Sequence, residues 1–359
     1  MRLRPIFRSL RIVKYLRWTA FALCIGLFVW GLAHTDVRAG VARMIAIGPI
    51  VLVVLAPFPI ALALDTAAWR VLMGSLGHRV PWLPLYKVRL GTEAVNNSTP
   101  GGMVWGEALA PVLVARRTGV PVSDVIAASM AKRWIVVRMH ATYVALAAAL
   151  GYPALSRASR ALVGGDAMVV VVVVGAFGLV LLAMGIEALT ARGHVAGRVS
   201  GFIGRRRFRG VQKWIEGRRH HFTHADEQIA KLSRDDRSAR KASAWLFGMW
   251  VVEGIETFLI LHLLGADIGL VEVMSFDAAL SVVRSAAVFA PAGIGIQDVG
   301  YLAVLEAYGV PAASGIAPAF VLIKRLKEAV FVAIGFVMIA RTSANRRFQR
   351  VAQSVSAGT

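Results

Sequence analysis

The chain has 359 residues, 57% of them hydrophobic and 17% charged, with a mean hydropathy of +0.64. So apolar a composition excludes an ordinary soluble domain and implies a multi-span membrane protein. The formal charge of +21, from 41 Lys+Arg against 20 Asp+Glu, would suggest nucleic acid in a soluble chain; beside long apolar runs it reads instead as positive-inside loops facing anionic lipid, and no nucleic-acid partner is expected. The single cysteine, Cys24, sits in an apolar run, which leaves no disulfide framework and no thiolate metal site.

In chain order, residues 1–17 carry six basic residues and no acid, followed by an apolar run at 18–33. Such a pair can be a cleaved signal peptide, but the spans that follow favour an uncleaved first helix. A second span covers 44–64 and contains Pro49, Pro57 and Pro59, which spanning helices tolerate. Residues 65–90 are mixed and net basic, and 92–115 are too polar and broken for a simple span. A long helix is predicted at 122–150, although it holds Lys132, Arg133, Arg138 and His140, and an unambiguous span at 167–189 contains six consecutive valines. Hydropathy then collapses over 191–241, where fourteen basic and five acidic residues predict a cytoplasmic loop. Spans at 242–264, carrying Glu253 and Glu256, and at 312–340 complete the set. Between them, residues 265–311 hold five acids and one base, which argues for the opposite side of the membrane.

Two stretches stand apart from these spans. Pro100-Gly101-Gly102 is followed by Glu107, and Pro291-Ala292-Gly293-Ile294-Gly295 is followed by Asp298, each acid seven residues after its proline. Gly119-Val120-Pro121 and Gly309-Val310-Pro311 follow the two breaks, and Lys132-Arg133 and Lys324-Arg325 begin 32 and 33 residues after the respective prolines. Upstream, Leu76-Gly77 and Leu264-Gly265 each lie eleven residues after an acid, Asp65 and Glu253. Five markers in one order imply an internal repeat. The charge bias places both termini and the central loop inside, so each half makes an odd number of crossings and the second copy is inverted. The expected fold is an all-α polytopic membrane protein, a single integral domain over 1–359. It has about six full transmembrane helices and two re-entrant broken-helix regions, or eight spans if the re-entrant helices cross. The first inverted repeat covers 10–150 and the second 167–190 with 242–340. Secondary transporters recurrently use this architecture.

The breaks are the first candidate site. Proline removes a backbone donor and glycine the side-chain barrier, so the chain can turn at membrane depth and leave N–H groups at a half-helix N-terminus for an anionic ligand. One isolated Pro-Gly-Gly would be a packing turn; two in inverted registers, each with an acid, point to binding. Lys132, Arg133, Lys324 and Arg325 are the second. Intramembrane cations need a polar partner unless they snorkel to an interface, and the planar fork of arginine suits phosphate. Glu107 and Asp298 either pair with Arg133 and Arg325, the better reading because it accounts for both charges, or titrate as a proton site; Lys324 and Glu328, four apart, could neutralise each other. Glu253 and Glu256 lie on one helical face, and nothing in the sequence says whether they bind protons. His220, His221 and His224 have a metal-compatible spacing in a solvated basic loop, where a helix surface is the better reading; no metal and no cofactor is expected. Arg205-Arg206-Arg207-Phe208-Arg209 reads as a patch on anionic lipid. No GxSxG, CxxC, HExxH or P-loop pattern supports catalysis.

Pro100-Gly101-Gly102 through Glu107, Arg116-Arg117-x-Gly119, the run from Pro291 to Asp298 with Gly300, and Lys324-Arg325-x-Lys327-Glu328 together resemble the flippase-like integral-membrane family built on the transmembrane region of lysylphosphatidylglycerol synthase. The Gly-x-Gln-acid form and the Lys-Arg helix look closest to its hopanoid-biosynthesis-associated branch. The resemblance covers about residues 10–340 and departs from the family at Asp298, where glutamate is usual. It implies a multi-pass protein of the bacterial inner membrane that moves a lipid between leaflets. The synthases append a soluble aminoacyl-transferase domain, whereas this chain stops nineteen residues after Ala340, so lysyl transfer is not expected.

The reading from sequence is a lipid translocase and not an enzyme. Pro100, Gly101, Gly102, Glu107, Arg133, Pro291, Gly293, Gly295, Asp298, Lys324 and Arg325 would form its substrate site, and membrane lipids with an anionic headgroup would be its partners. The alternatives are a non-transporting scaffold for a lipid- or hopanoid-synthesis complex and, behind that, an intramembrane lipid-modifying enzyme.

Overall fold

The computed structural model describes residues 4–98, 102–191, 227–286, 291–311 and 314–356, and no strand occurs among them. The helices are numbered α1 (Arg4–Ala33), α2 (Val37–Ile47), α3 (Pro57–Ser75), α4 (Trp82–Ser98), α5 (Gly102–Thr118) and α6 (Val122–Leu150) in the first half. They continue as α7 (Tyr152–Val163), α8 (Ala167–Ala191), α9 (Asp236–Leu263), α10 (Leu270–Ala286), α11 (Ile296–Ala307) and α12 (Ile316–Ser356). Short 3₁₀ segments occupy Gly48–Leu55 and Pro291–Gly293.

Local chemistry sets most of these boundaries. Asp36 caps α2 by accepting the Ala39 N–H at 2.8 Å. Pro57 and Pro121 stand where a helix-starting N–H would in any case lack a partner. The second apolar run is interrupted at Gly48-Pro49, where the chain tightens into a 3₁₀ segment before α3 begins. A helix that the hydropathy pattern did not show is α7, which departs from α6 by 83° at Gly151. Its apolar face carries buried Ala154, Leu155 and Ala158, while Arg157 and Arg160 face outward to Glu272 (3.2 Å) and Asp166 (3.3 Å). The left-handed Gly164 (φ 71°) ends it.

The span count comes out lower than the six crossings expected. By length and apolarity three described segments qualify, Val37–Ser75, Ala167–Gly185 and Asp236–Leu263, or four if α6 and α7 count as one bent span. The reason is charge placement. Lys132, Arg133 and Arg138 interrupt the apolar run of α6, and Lys324, Arg325, Lys327 and Glu328 that of α12; α1 contributes an apolar stretch only over Trp18–Ala33. At 12 residues, α11 reaches about 18 Å at 1.5 Å per residue, well short of the ~30 Å hydrocarbon thickness.

Packing interleaves the two halves. Helix α3 lies along α9, α4 along α12, and α6 against α8, α9 and α10. The α4–α12 crossing is close because it is built from small residues. A methyl on Gly335 would sit 2.7 Å from the Leu90 carbonyl, and one on Gly91 would sit 2.8 Å from Ile339. Around α3, α6 and α9 the core holds Trp69, Leu72, Met73, Ile135 and Leu246; a second core joins Ile260, Phe276, Tyr301 and Phe320.

Asp235 ties the C-terminal end of α3 to the start of α9. Its carboxylate accepts the Ser75 hydroxyl and the Ser238 N–H (3.0 Å), and these bonds hold its pKa down to about 2. A depressed folded pKa means stabilisation that is present above the unfolded value and lost as pH falls through about 2. Asp235→Ala is therefore expected to cost about 1 kcal/mol at neutral pH. The difference from the native chain should vanish near pH 2, as read from thermal unfolding across pH.

Candidate functional site

Both breaks fall between helices, but only one is visible in detail. Pro100 and Gly101 lie outside the described residues, as do 287–290, and Gly102 is the first residue of α5. Around the first break α4 and α5 fold back on each other so tightly that a methyl on Gly106 would collide with the Asn96 side chain and lie 2.7 Å from the Thr92 carbonyl. That packing puts Glu107 beside α6, where its carboxylate is 3.8 Å from Arg133 Nη1; both side chains are partly open, at 29% and 38% exposed.

The second break is a run of left-handed residues, Ala292 (φ 50°), Gly293 (φ 69°) and Gly295 (φ 82°), leading into α11. Its N-terminus is capped from within, because Asp298 Oδ2 accepts the Gly295 N–H at 2.8 Å. This corrects the expectation of a free N–H for an anionic ligand at that position: the carboxylate three residues on is the nearer acceptor. Arg325 then clamps the turn, with Nη2 2.8 Å from Asp298 Oδ1, Nη1 donating to the Ala292 carbonyl at 3.2 Å, and Nη1 2.5 Å from Glu328. Glu328 is thus committed to Arg325 and not to Lys324, because at i+3 it reaches the guanidinium fork.

Lys324 has other partners. Its ammonium donates to Thr257 Oγ1 at 2.9 Å and Tyr301 Oη at 3.1 Å, and both hydroxyls donate to Asp277 Oδ1, at 3.0 Å and 2.6 Å. Gln297 donates to the same Tyr301 hydroxyl at 3.0 Å. Lys324 itself is 3.8 Å from Asp277, so two hydroxyls stand between the charges. Lys327 pairs directly with Glu256 at 2.5 Å, and Arg284 lies 3.7 Å from Glu253.

In the first half the corresponding lysine meets its acid without intermediaries. Lys132 Nζ is 2.8 Å and 3.1 Å from the two oxygens of Asp65, a residue 2% exposed. Arg89 Nε reaches Asp65 at 2.6 Å while its Nη1 reaches Glu93 at 2.5 Å. Asn96 and Asn97 also donate to Glu93, at 3.2 Å and 3.3 Å. Asp65 was visible in sequence only as a repeat marker, and Glu253 as a repeat marker and, with Glu256, as an intramembrane acid. Arg89, Glu93, Thr257, Asp277 and Tyr301 were not singled out: Arg89 and Glu93 are four apart on α4, a spacing that could have found them, but no local spacing connects them to Asp65 or joins Thr257, Asp277 and Tyr301.

The two break regions come together. Helix α4, which runs into the first break, packs against Pro291–Gly293 of the second. Nearby, Phe58 of α3, Glu93 and Asn97 of α4 and Phe331 of α12 line a narrow crevice too tight to hold a water molecule. The crevice reaches the end of α4 but includes no residue of the second break. His220, His221, His224 and the Arg205–Arg209 patch lie outside the described residues; among those described, no group of three His, Cys, Asp or Glu side chains is arranged to hold a metal.

These paired charges inside apolar helices are what a membrane domain needs if cations are to remain at depth. No curated protein and no solved structure matches the chain. A family model does, over residues 17–335, and its description is the transmembrane region of lysylphosphatidylglycerol synthase. This multi-pass membrane protein therefore belongs to the lysylphosphatidylglycerol synthase transmembrane-region family.

Proposed function

We propose that this chain is a lipid translocase of the bacterial inner membrane, with both termini cytoplasmic, and not an enzyme. The carrying observation is that each break region presents an arginine bound to the carboxylate seven residues after its proline, Arg133 to Glu107 and Arg325 to Asp298, while α4 brings the breaks together. The interleaving of α4 on α12 and α10 on α6 supports two inverted repeats exchanging partners across the domain. An anionic headgroup entering this region competes with the carboxylates for the guanidinium forks. The Arg133–Glu107 pair, longer and more open, is the one it meets first; Arg325 and Asp298, 14% and 3% exposed, are the tighter lock. The left-handed Gly293 and Gly295 shape that turn, and Lys324 anchors α11 beyond it through Tyr301.

The experiment is leaflet exchange of labelled anionic phospholipid in proteoliposomes. The native protein is expected to exceed empty vesicles, Arg133→Ala to lose about tenfold in rate, corresponding to roughly 1.4 kcal/mol, and Arg325→Ala at least as much. Equal rates for all three chains would remove the headgroup site. A native protein that moves no lipid while co-purifying with lipid-synthesis proteins would favour the scaffold reading, to which the hopanoid-associated branch belongs. Headgroup modification seen by mass spectrometry would favour an enzyme.

A further inference from the structure

The charge balance differs between the two halves of the buried network. In the first half three carboxylates, Asp65, Glu93 and Glu107, meet three cations, Arg89, Lys132 and Arg133. In the second half five carboxylates, Glu253, Glu256, Asp277, Asp298 and Glu328, meet only four cations, Arg284, Lys324, Arg325 and Lys327. Among the described residues, the excess arises because Asp298 and Glu328 share Arg325, and a net negative charge inside these helices is costly unless a proton offsets it.

Geometry shows which carboxylate is held least firmly and so is best placed to take that proton. Asp298 and Glu256 hold direct partners at 2.8 Å and 2.5 Å, Glu328 holds Arg325 at 2.5 Å, and Asp277 accepts from two hydroxyls. Glu253 has only Arg284, at 3.7 Å, and its side chain is 37% exposed, so it is both the least satisfied and the most accessible. Beside it, Tyr143 Oη is buried with no hydrogen-bond partner and points at Gly254, close enough that a methyl there would collide with it. That hydroxyl is within electrostatic reach of Glu253 and Asp277.

We propose that Glu253 is a proton-binding site, and that its protonation frees Arg284 to act on the second break. The step is an acid–base exchange: hydronium gives one proton to the Glu253 carboxylate, leaving water, and the reverse step returns it. With Glu253 neutral, four carboxylates meet four cations, and Arg284 loses its nearest partner. Arg284 is the link to the break because its Cγ lies 3.2 Å from where a methyl on Gly293 would sit.

The surroundings of Glu253 enter from every helix packed on α9. From α9 itself comes Glu256, from α10 Asp277 and Arg284, and from α12 Lys327. Helix α6 contributes Tyr143 and the buried His140, which stacks on Trp250 at 3.9 Å and binds Ser281 at 2.7 Å. Arg138, also on α6, donates to Ser243, ten residues and about 15 Å along α9 from Glu253. On α3 the acid Asp65 is occupied by Lys132 and Arg89, and the Gly48–Leu55 segment carries no charge.

This inference deepens the translocase reading but is tested without it. Infrared difference spectra of the whole protein in nanodiscs, taken between about pH 8 and about pH 5, the range over which buried carboxyl groups can change charge, should show a deuterium-sensitive carboxylic C=O band. Glu253→Gln should remove it, Glu253→Asp should retain it at a shifted position, and Asp298→Asn should leave it in place. No band in the native protein, or a band that survives Glu253→Gln in a monodisperse sample, overturns the proposal. In proteoliposomes an imposed pH gradient should then change the native exchange rate and not that of Glu253→Gln. Lipid exchange without the band leaves the translocase standing and removes the proton site; the band without lipid exchange does the reverse.

Discussion

Asp65→Asn is expected to lower the stability of the membrane domain by about 3–5 kcal/mol, the cost of leaving buried cations without their counter-charge. The carboxylate is 2% exposed and holds Lys132, itself 4% exposed, together with Arg89. An asparagine offers one carbonyl oxygen in place of two charged ones, and the buried Lys132 has little access to solvent in exchange. Arg89 keeps Glu93 at 2.5 Å, so the greater loss falls on Lys132. The double change Asp65→Leu with Lys132→Met removes both ends of the pair and should recover most of the loss, because a well-packed apolar pair often equals a buried ion pair. Thermal unfolding in nanodiscs measures both. A single-variant cost below about 1 kcal/mol, the range of exposed pairs, would mean that water reaches Asp65.

The second large effect is expected at Gly295. Any β-carbon there adopts the left-handed conformation at φ 82° and collides with the backbone carbonyl of Cys24 on α1. The obstacle is main chain, not the end of a flexible side chain, so it cannot yield cheaply. Gly295→Ala therefore combines about 1–2 kcal/mol of backbone strain with an overpacking cost of about 1–3 kcal/mol. Gly309→Ala is the control, since Gly309 is equally left-handed at φ 84° but a methyl there meets nothing within 4 Å. It should show the strain alone. A disulfide- or label-based distance between α1 and α11 should lengthen in Gly295→Ala and stay unchanged in Gly309→Ala. If the two variants lose equal stability, α1 is not seated on the second break.

Much of this site was legible from residue type and order. Proline and glycine disrupt regular helix wherever they cluster, and α4 and α10 do end before Pro100 and Pro291 respectively. A cation inside an apolar run must find a partner, and Arg133 and Arg325 face the acids of their own break regions. What local spacing does not carry is competition between acceptors. Asp298 lies three residues from Gly295 and so caps α11 itself, occupying the N–H left open for a ligand. Glu328 is within reach of both Lys324 and Arg325, and only the rotation of α12 against the break settles it on Arg325.

The amino-acid order alone determined that the chain is helical, embedded in lipid and broken twice, because hydropathy and backbone freedom are local properties. It also determined that charges would stand inside apolar segments, since they are written there. Tertiary structure decided where those charges go. Asp65 joins Lys132 across 67 residues, Lys327 joins Glu256 across 71, and Thr257, Asp277, Tyr301 and Lys324 from four helices close one knot. Electrostatic attraction in a low-dielectric interior acts on distance in space, and distance between helices is set by how α3, α4, α6, α9, α10 and α12 pack. The four-against-five balance around Glu253 follows from that packing and from nothing local.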